Sequence, residues 1–333
     1  MNKLPIETEN KLFGKYLYPE AKEIKEHQQK VNWLDIEIPV EDDKQDYLVI
    51  MDEYQLNLAK VTLQSFVEIE QSVGDIWHTI GIWFPHSEIE GACAVIESME
   101  KGVHAFFYQK MSDVLRIDPE ETYRIQNELG PIRNKLEYMK DIFSNPDKNK
   151  PLTLAVVTTV EQVLLFGNFA MLKSFKANGN NLITNTLFGV DYVIADESIH
   201  GDFSKYLFQT YLSEANYSKD KIAVLLDKIS IILNGIVQHE EEVIELVFKD
   251  VNTINGVTEK ELKSFIKHRA NMVIDNLGID IPKYTVCDNS IEQWFYTNIN
   301  ALKLHDFFAG SSTSYRRDWS EKKFTRFKGC TND

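Results

Sequence analysis

Glu197 and His200, in the run Ala195-Asp196-Glu197-Ser198-Ile199-His200, stand three residues apart and therefore project from one face of a helix. A carboxylate beside an imidazole suits a borderline metal such as iron, manganese or zinc. Glu-x-x-His by itself also arises on charged surface helices. Here Val190, Val193, Ile194 and Ile199 make the surroundings apolar, and a buried charge needs a partner. Glu161 is the one acid in LTLAVVTTVEQVLLFGNFAML, so a buried ion pair or a metal must satisfy it. Glu70 ends the similarly apolar Ser65-Phe66-Val67-Glu68-Ile69-Glu70. His104 and Tyr108 share a face at i and i+4, either as ordinary core residues or as parts of a site. Four segments thus each present an acid or a histidine from an apolar face. That is the plan of di-metal carboxylate bundles, in which two helices give one carboxylate each and two give Glu-x-x-His. Three residues before His104, where the second pair needs its glutamate, stands Lys101.

The elements that must carry these groups read as long helices. The stretch 47–72 has no Gly or Pro, and its apolar residues nearly surround a helix. Ser87 with Glu90 predicts a capping box opening a helix to about residue 115. Asp118-Pro119-Glu120-Glu121 predicts another start, with the helix ending before Ser144-Asn145-Pro146. Further helices are expected near 151–174, 182–214, 218–248 and 258–277, with a loop at 176–181. The fold class expected is all-α, a helical bundle forming one domain over 1–310. The segment 311–333 is small, polar and basic, and reads either as a frayed terminus or as a docking arm with Trp319, Phe324 and Phe327 as anchors.

Composition narrows the function. The net charge of −15 repels phosphate backbones and anionic lipid, so no nucleic-acid or membrane partner is expected. The three cysteines, Cys93, Cys287 and Cys330, form neither a disulfide framework nor a zinc knuckle, which suggests a reducing, cytoplasmic setting. No unbroken apolar run reaches membrane-span length and no leader is evident.

From about Trp33 to Tyr315 an ordered set of motifs resembles the small, radical-generating subunit of class I ribonucleotide reductase. The set comprises Trp33 followed by acids and Tyr47 (NWLDIEIPVEDDKQDY), then Glu70-Gln71-Ser72-Val73-Gly74, His104 with Tyr108, and Glu161 with Leu165 and Phe169. It closes with Asp196-Glu197-x-x-His200, His305-Asp306-Phe307-Phe308 and Ser314-Tyr315. The resemblance implies a ferritin-like bundle and a homodimer. It implies metal ligands Glu70, His104, Glu161, Glu197 and His200 for a pair of iron or manganese ions. It implies a tyrosyl radical at Tyr108, and a relay through His104, Asp196 and Trp33 to a separate large, catalytic subunit that reduces ribonucleotides. The tail would dock on that subunit, and an activating flavoprotein is a further implied partner.

Lys101 departs from this pattern. Four carboxylates would balance two divalent ions, whereas Glu70, Glu161, Glu197 and Lys101 leave the empty site at −2. The expectation is then an unconventional centre, with Lys101 in place of a bridging carboxylate. Such a centre holds at most one metal, or none with the radical on Tyr108, modified or not. An alternative alignment makes Glu100 or Glu97 the ligand, Glu100 lying four residues before His104. Competing readings are a stand-alone ferritin-like oxidase, and an inactive homologue with a salt bridge in the former metal site.

Overall fold

The computed structural model describes residues 3–10 and 14–296. The expected tail 311–333, with Tyr315 and Trp319, and the segment His305-Asp306-Phe307-Phe308 lie outside the described residues. Helix α1 (Pro19–Lys30) precedes an irregular segment that ends in a π turn, Asp46–Ile50. Helix α2 (Glu53–Trp83) starts at Asp52, whose carboxylate accepts the Gln55 N–H while the Gln55 side chain accepts the Asp52 N–H. The helix expected over 47–72 is therefore broken before Asp52 and runs on to Trp83. Helix α3 (Ser87–Met99) passes through a π turn, Glu100–His104, into α4 (Ala105–Val114). The expected capping box does not form: His86 occupies the cap, and the Ser87 hydroxyl turns to Glu88.

Asp118 does cap α5 (Pro119–Tyr123), accepting from the Glu121 N–H. The expected single helix to residue 143 is interrupted by a π turn, Arg124–Glu128, and by extended Leu129. Pro131, in the first turn of α6 (Gly130–Ile142), lacks the N–H a continuing helix would need. Helix α7 (Lys150–Thr159) leads through a π turn, Val160–Leu164, into α8 (Leu165–Lys173). Then come α9 (Thr184–Ala215) and α10 (Lys219–Phe248), with Ser218 capping α10. A two-stranded antiparallel hairpin, β1 (Thr253–Ile254) and β2 (Val257–Thr258), turns at Asn255-Gly256 with both φ angles positive. Helix α11 (Glu259–Leu277) opens on a Thr258–Glu261 capping box, and α12 (Ser290–Phe295) closes the described chain.

The architecture is an all-α bundle, as expected. Helix α2 packs on α3, α4 and α8; α7 packs on α9; α10 packs on α6, α7 and α11. Among the described residues, two segments have the length and apolar composition of a membrane span, contrary to expectation. The span-like window of 146–179 is wholly buried inside the protein. Helix α10 is amphipathic: Leu225, Ile229, Leu233 and Ile236 face the core, while Asp227, Lys228, Asn234 and Gln238 face outward. Two buried lysines are paired with carboxylates. Lys135 meets Glu240 at 2.6 Å and donates to Asn168, and Lys173 meets Asp191.

The start of α9 is held from the segment after Trp33. Ile183 adopts a left-handed conformation (φ 47°), unfavourable for a β-branched residue. Asp46 accepts its N–H, and the Asp43 carboxylate accepts the backbone N–H groups of Asn185 and Thr186. These contacts tie the segment carrying Trp33 to the helix carrying Asp196, Glu197 and His200.

Candidate metal centre

Six side chains converge with no exposed surface: Glu70 from α2, Glu100 and His104 from one π turn, Glu161 from another, and Glu197 and His200 from α9. They form two ligand groups. Glu70, Glu100, His104 and Glu197 make one, and Glu100, Glu161, Glu197 and His200 the other, with the ligand atoms of each within 4.8 Å of one another. Glu100 and Glu197 belong to both groups, the position of bridging carboxylates.

Lys101 is corrected by this geometry. Its Nζ lies 2.5 Å from Asp75 and 3.1 Å from Glu97, on the outer surface of α2 and α3, with 34% of the side chain exposed. Its stem crosses Gly74, where a Cβ would come within 2.8 Å of Lys101 Cγ. The carboxylate comes instead from Glu100, one residue earlier. A π turn takes in almost one residue more than an α turn, so the residue four before His104 arrives where the residue three before it would stand in an α helix. With Glu100 in place, four carboxylates can balance two divalent ions. The charge argument for one metal or none therefore lapses.

The second π turn presents Glu161 in a similar way. Gly201 lets α9 approach it, since a Cβ there would meet the Gln162 side chain at 2.4 Å. Trp77, two turns beyond Glu70 on α2, donates its indole N–H to Glu161 Oε1 at 2.9 Å.

The donor set fits divalent metal. Glu70 Oε1, Glu161 Oε2, Glu197 Oε1 and both Glu100 oxygens are buried without a hydrogen-bond partner. Glu100 Oε1 lies 2.7 Å from His200 Nδ1, and Glu197 Oε1 3.0 Å from His104 Nδ1. Such close approaches without hydrogen bonds are those of atoms aimed at common centres, and carboxylate with imidazole suits iron or manganese. Both histidines direct Nδ1 inward. His104 turns Nε2 to Asp196 Oδ2 at 3.1 Å, the outer contact that orients a histidine ligand.

Burial and mutual charge shift these groups in opposite directions. Burial, then the Glu100 and Glu197 charges, raise Glu70 well above the usual carboxylate range. Burial and the same two charges, Glu197 first, do so for Glu161. Burial also acts on Glu100, but contacts with Glu70, His104 and His200 outweigh it and hold that carboxyl below its usual range. Glu197 is lowered too, with His200 and His104 overcoming burial and Glu100. For the histidines burial acts downward and the carboxylates win: His104 stands well above its ordinary value, and His200 is pushed up to about 9.

Around the cluster, Asp196 joins three elements. It accepts from His104 Nε2, from Trp33 Nε1 at 2.8 Å and from Gln28 Nε2 at 2.7 Å. Tyr108 is fully buried, its ring stacked on Phe66 with centroids 4.3 Å apart, and its hydroxyl has no hydrogen-bond partner. Burial, with Glu70, Glu197 and Glu100 behind it, raises its pKa well above the usual phenol value.

Among the described residues, Glu70, His104, Glu161, Glu197, His200, Asp196, Trp33 and Tyr108 are thus brought together as expected, and Lys101 is not. Trp77, Gln28 and Phe66 are added. Glu100 is the alternative ligand read from the sequence, an acid one helical turn before His104. Trp77 was open to detection as an indole donor on the face of Glu70.

Residues 12–289 match the family described as "Ribonucleotide reductase, small chain". A ribonucleoside-diphosphate reductase subunit beta of Mycobacterium leprae is 24% identical over 288 residues, covering 85% of this chain and 84% of that protein. A probable ribonucleoside-diphosphate reductase small subunit of Invertebrate iridescent virus 6 is 25% identical over 92% of this chain and 95% of its own. Among solved structures, the dimanganese(II) NrdF of Streptococcus sanguinis superposes with a TM-score of 0.74 at 21% identity, over 88% of this chain and 99% of that one. The Rnr4 homodimer of Saccharomyces cerevisiae gives 0.69 at 17% identity, over 90% and 92%.

Proposed function

The chain belongs to the family of ribonucleotide reductase small chains, and we propose that it stores a one-electron oxidant beside a pair of iron or manganese ions for a separate catalytic subunit. In this reading Glu70, His104, Glu161 and His200, together with Glu100 and Glu197 that belong to both ligand groups, would hold the two ions. Bound metal would supply the redox chemistry that oxidises a neighbouring side chain. Tyr108 is the residue proposed to keep the oxidising equivalent. Phe66 covers its ring, and the apolar wall excludes water and reductants. Burial and the neighbouring Glu70, Glu197 and Glu100 carboxylates hold its hydroxyl proton in place.

The single observation that carries the proposal is the Asp196 carboxylate, with ligand His104 on one side and the indole of Trp33 on the same oxygen. A metal centre acting alone on a small substrate needs no buried tryptophan wired to a ligand. Asp196 orients His104, holds the Trp33 proton and is itself steadied by Gln28. The large subunit is the proposed recipient, and an activating flavoprotein is a further proposed partner. A homodimer is proposed as the assembly, with exposed Ile36, Ile82 and Phe106 among the apolar side chains that need cover.

The test combines elemental analysis with electron paramagnetic resonance of the activated protein, followed by ribonucleotide reduction with a cognate large subunit. Two metals per chain, an organic radical and turnover are the expected results. Two metals and oxidation of a small substrate without the large subunit would select the stand-alone oxidase. Failure to take up metal would select the inactive homologue.

A further inference from the structure

Trp33 is buried, and three aromatic rings lie against it. His104 is on the metal side, with centroids 5.9 Å apart and planes inclined at 22°. Phe107 meets it edge-on at 5.6 Å and sits wholly in the core. Tyr192 is the third, stacked at 5.7 Å and 20°. Tyr192 lies one turn before Asp196 on α9, so one helix face both anchors the Trp33 indole and covers its ring. Tyr192 is only partly buried, and its ring meets Phe188, which is 43% exposed. Of these three rings, Tyr192 alone combines an oxidisable phenol with access to the surface.

We propose that Tyr192 is the exit station of the radical path, carrying the oxidising equivalent from Trp33 to the surface where the large subunit receives it. The inference rests on the proposed function. Trp33 gives one electron to the oxidant stored in the bundle and becomes a radical cation, its Nε1–H still held by Asp196. Tyr192 then gives an electron to Trp33 and its phenolic proton to water. Trp33 is restored, and a neutral tyrosyl radical stands at the surface. A one-electron donor of the large subunit reduces that radical, which takes back one proton.

The test uses the full chain with Tyr192→Phe, which keeps the ring stack and removes only the oxidisable hydroxyl. In the two-subunit enzyme kcat should fall roughly 100-fold. KM for the nucleotide, affinity for the large subunit, metal content and the stored radical should not change. A Tyr192→Trp variant, redox-active again, should recover part of the loss. A second readout needs no metal. One-electron photo-oxidation of the metal-free chain by a soluble ruthenium complex, differenced against Trp33→Phe, follows the Trp33 radical alone. Its lifetime should lengthen roughly tenfold in Tyr192→Phe, since its nearest reductant is gone. Wild-type turnover in Tyr192→Phe, or an unchanged Trp33 radical lifetime, overturns the relay and leaves the proposed function standing. A chain that stores no oxidant with or without Tyr192 overturns both.

Discussion

Replacing Glu100 by Gln tests the assignment of the fourth carboxylate most directly. The amide keeps the shape and an oxygen donor but removes one negative charge from a fully buried site. With two divalent ions bound, the cluster would go from neutral to +1. At about 4 Å and an effective dielectric constant of about 20, one unit charge is worth about 4 kcal/mol. That is about a thousandfold in the dissociation constant of an ion. Because Glu100 belongs to both ligand groups, neither ion escapes the loss. The variant should therefore retain about one ion after desalting, and a calorimetric titration with manganese(II) should show the second site weakened by about three orders of magnitude. Lys101→Met is the control. That side chain is a third exposed and already paired with Asp75 and Glu97, so screening leaves it little influence on the site. It should load two ions with near-native affinity, and so should Lys101→Glu. If Lys101→Met loses an ion while Glu100→Gln keeps both, Lys101 is the inward residue and the π-turn argument fails.

Three further outcomes follow from the same site and its support. Metal uptake near neutral pH should release a measurable number of protons, because the Glu70 and Glu161 carboxyls and both histidines are shifted towards their protonated forms. Calorimetry in buffers of different ionisation enthalpy measures that number. Since protons compete with metal, loading should weaken as pH falls and strengthen as pH rises towards about 9, where His200 gives up its proton; pH-independent affinity would contradict the proton inventory. Tyr108→Phe should retain both metals and lose the organic radical signal. It should unfold at the same temperature as wild type or slightly higher, because the buried hydroxyl has no partner to lose. Lys135→Met, which strands the Glu240 carboxyl, should cost about 3 kcal/mol in urea denaturation, and Lys135→Met with Glu240→Leu should recover most of it.

How far the centre was legible depended on which link of the chain each residue's signal lives on. Glu161, Glu197, His200 and Glu70 could be read directly, because an acid or imidazole in an apolar run demands a partner whatever the fold. Trp33 and Asp196 could be read because their order along the chain matched a known plan, and the structure joins them through one oxygen. Trp77 and Gln28 were hidden for the opposite reason: an indole in an apolar helix reads as packing, and its N–H acquires meaning only once Glu161 is placed across from it. The π turns at 100–104 and 160–164 left no mark in residue type, since a widened turn is a shift in which carbonyl accepts which N–H. Counting back three residues from His104 therefore landed on Lys101. The correction was nonetheless within reach of electrostatics. Placing Lys101 inward puts an ammonium among three buried acids and leaves two divalent ions overcharged. Placing Glu100 inward restores neutrality and frees the lysine to pair with Asp75 and Glu97 at the surface. Where helical periodicity and charge balance disagree over one residue beside a buried site, charge balance is the stronger guide. A helix can absorb an extra residue in one widened turn, but a buried site cannot absorb an uncompensated charge.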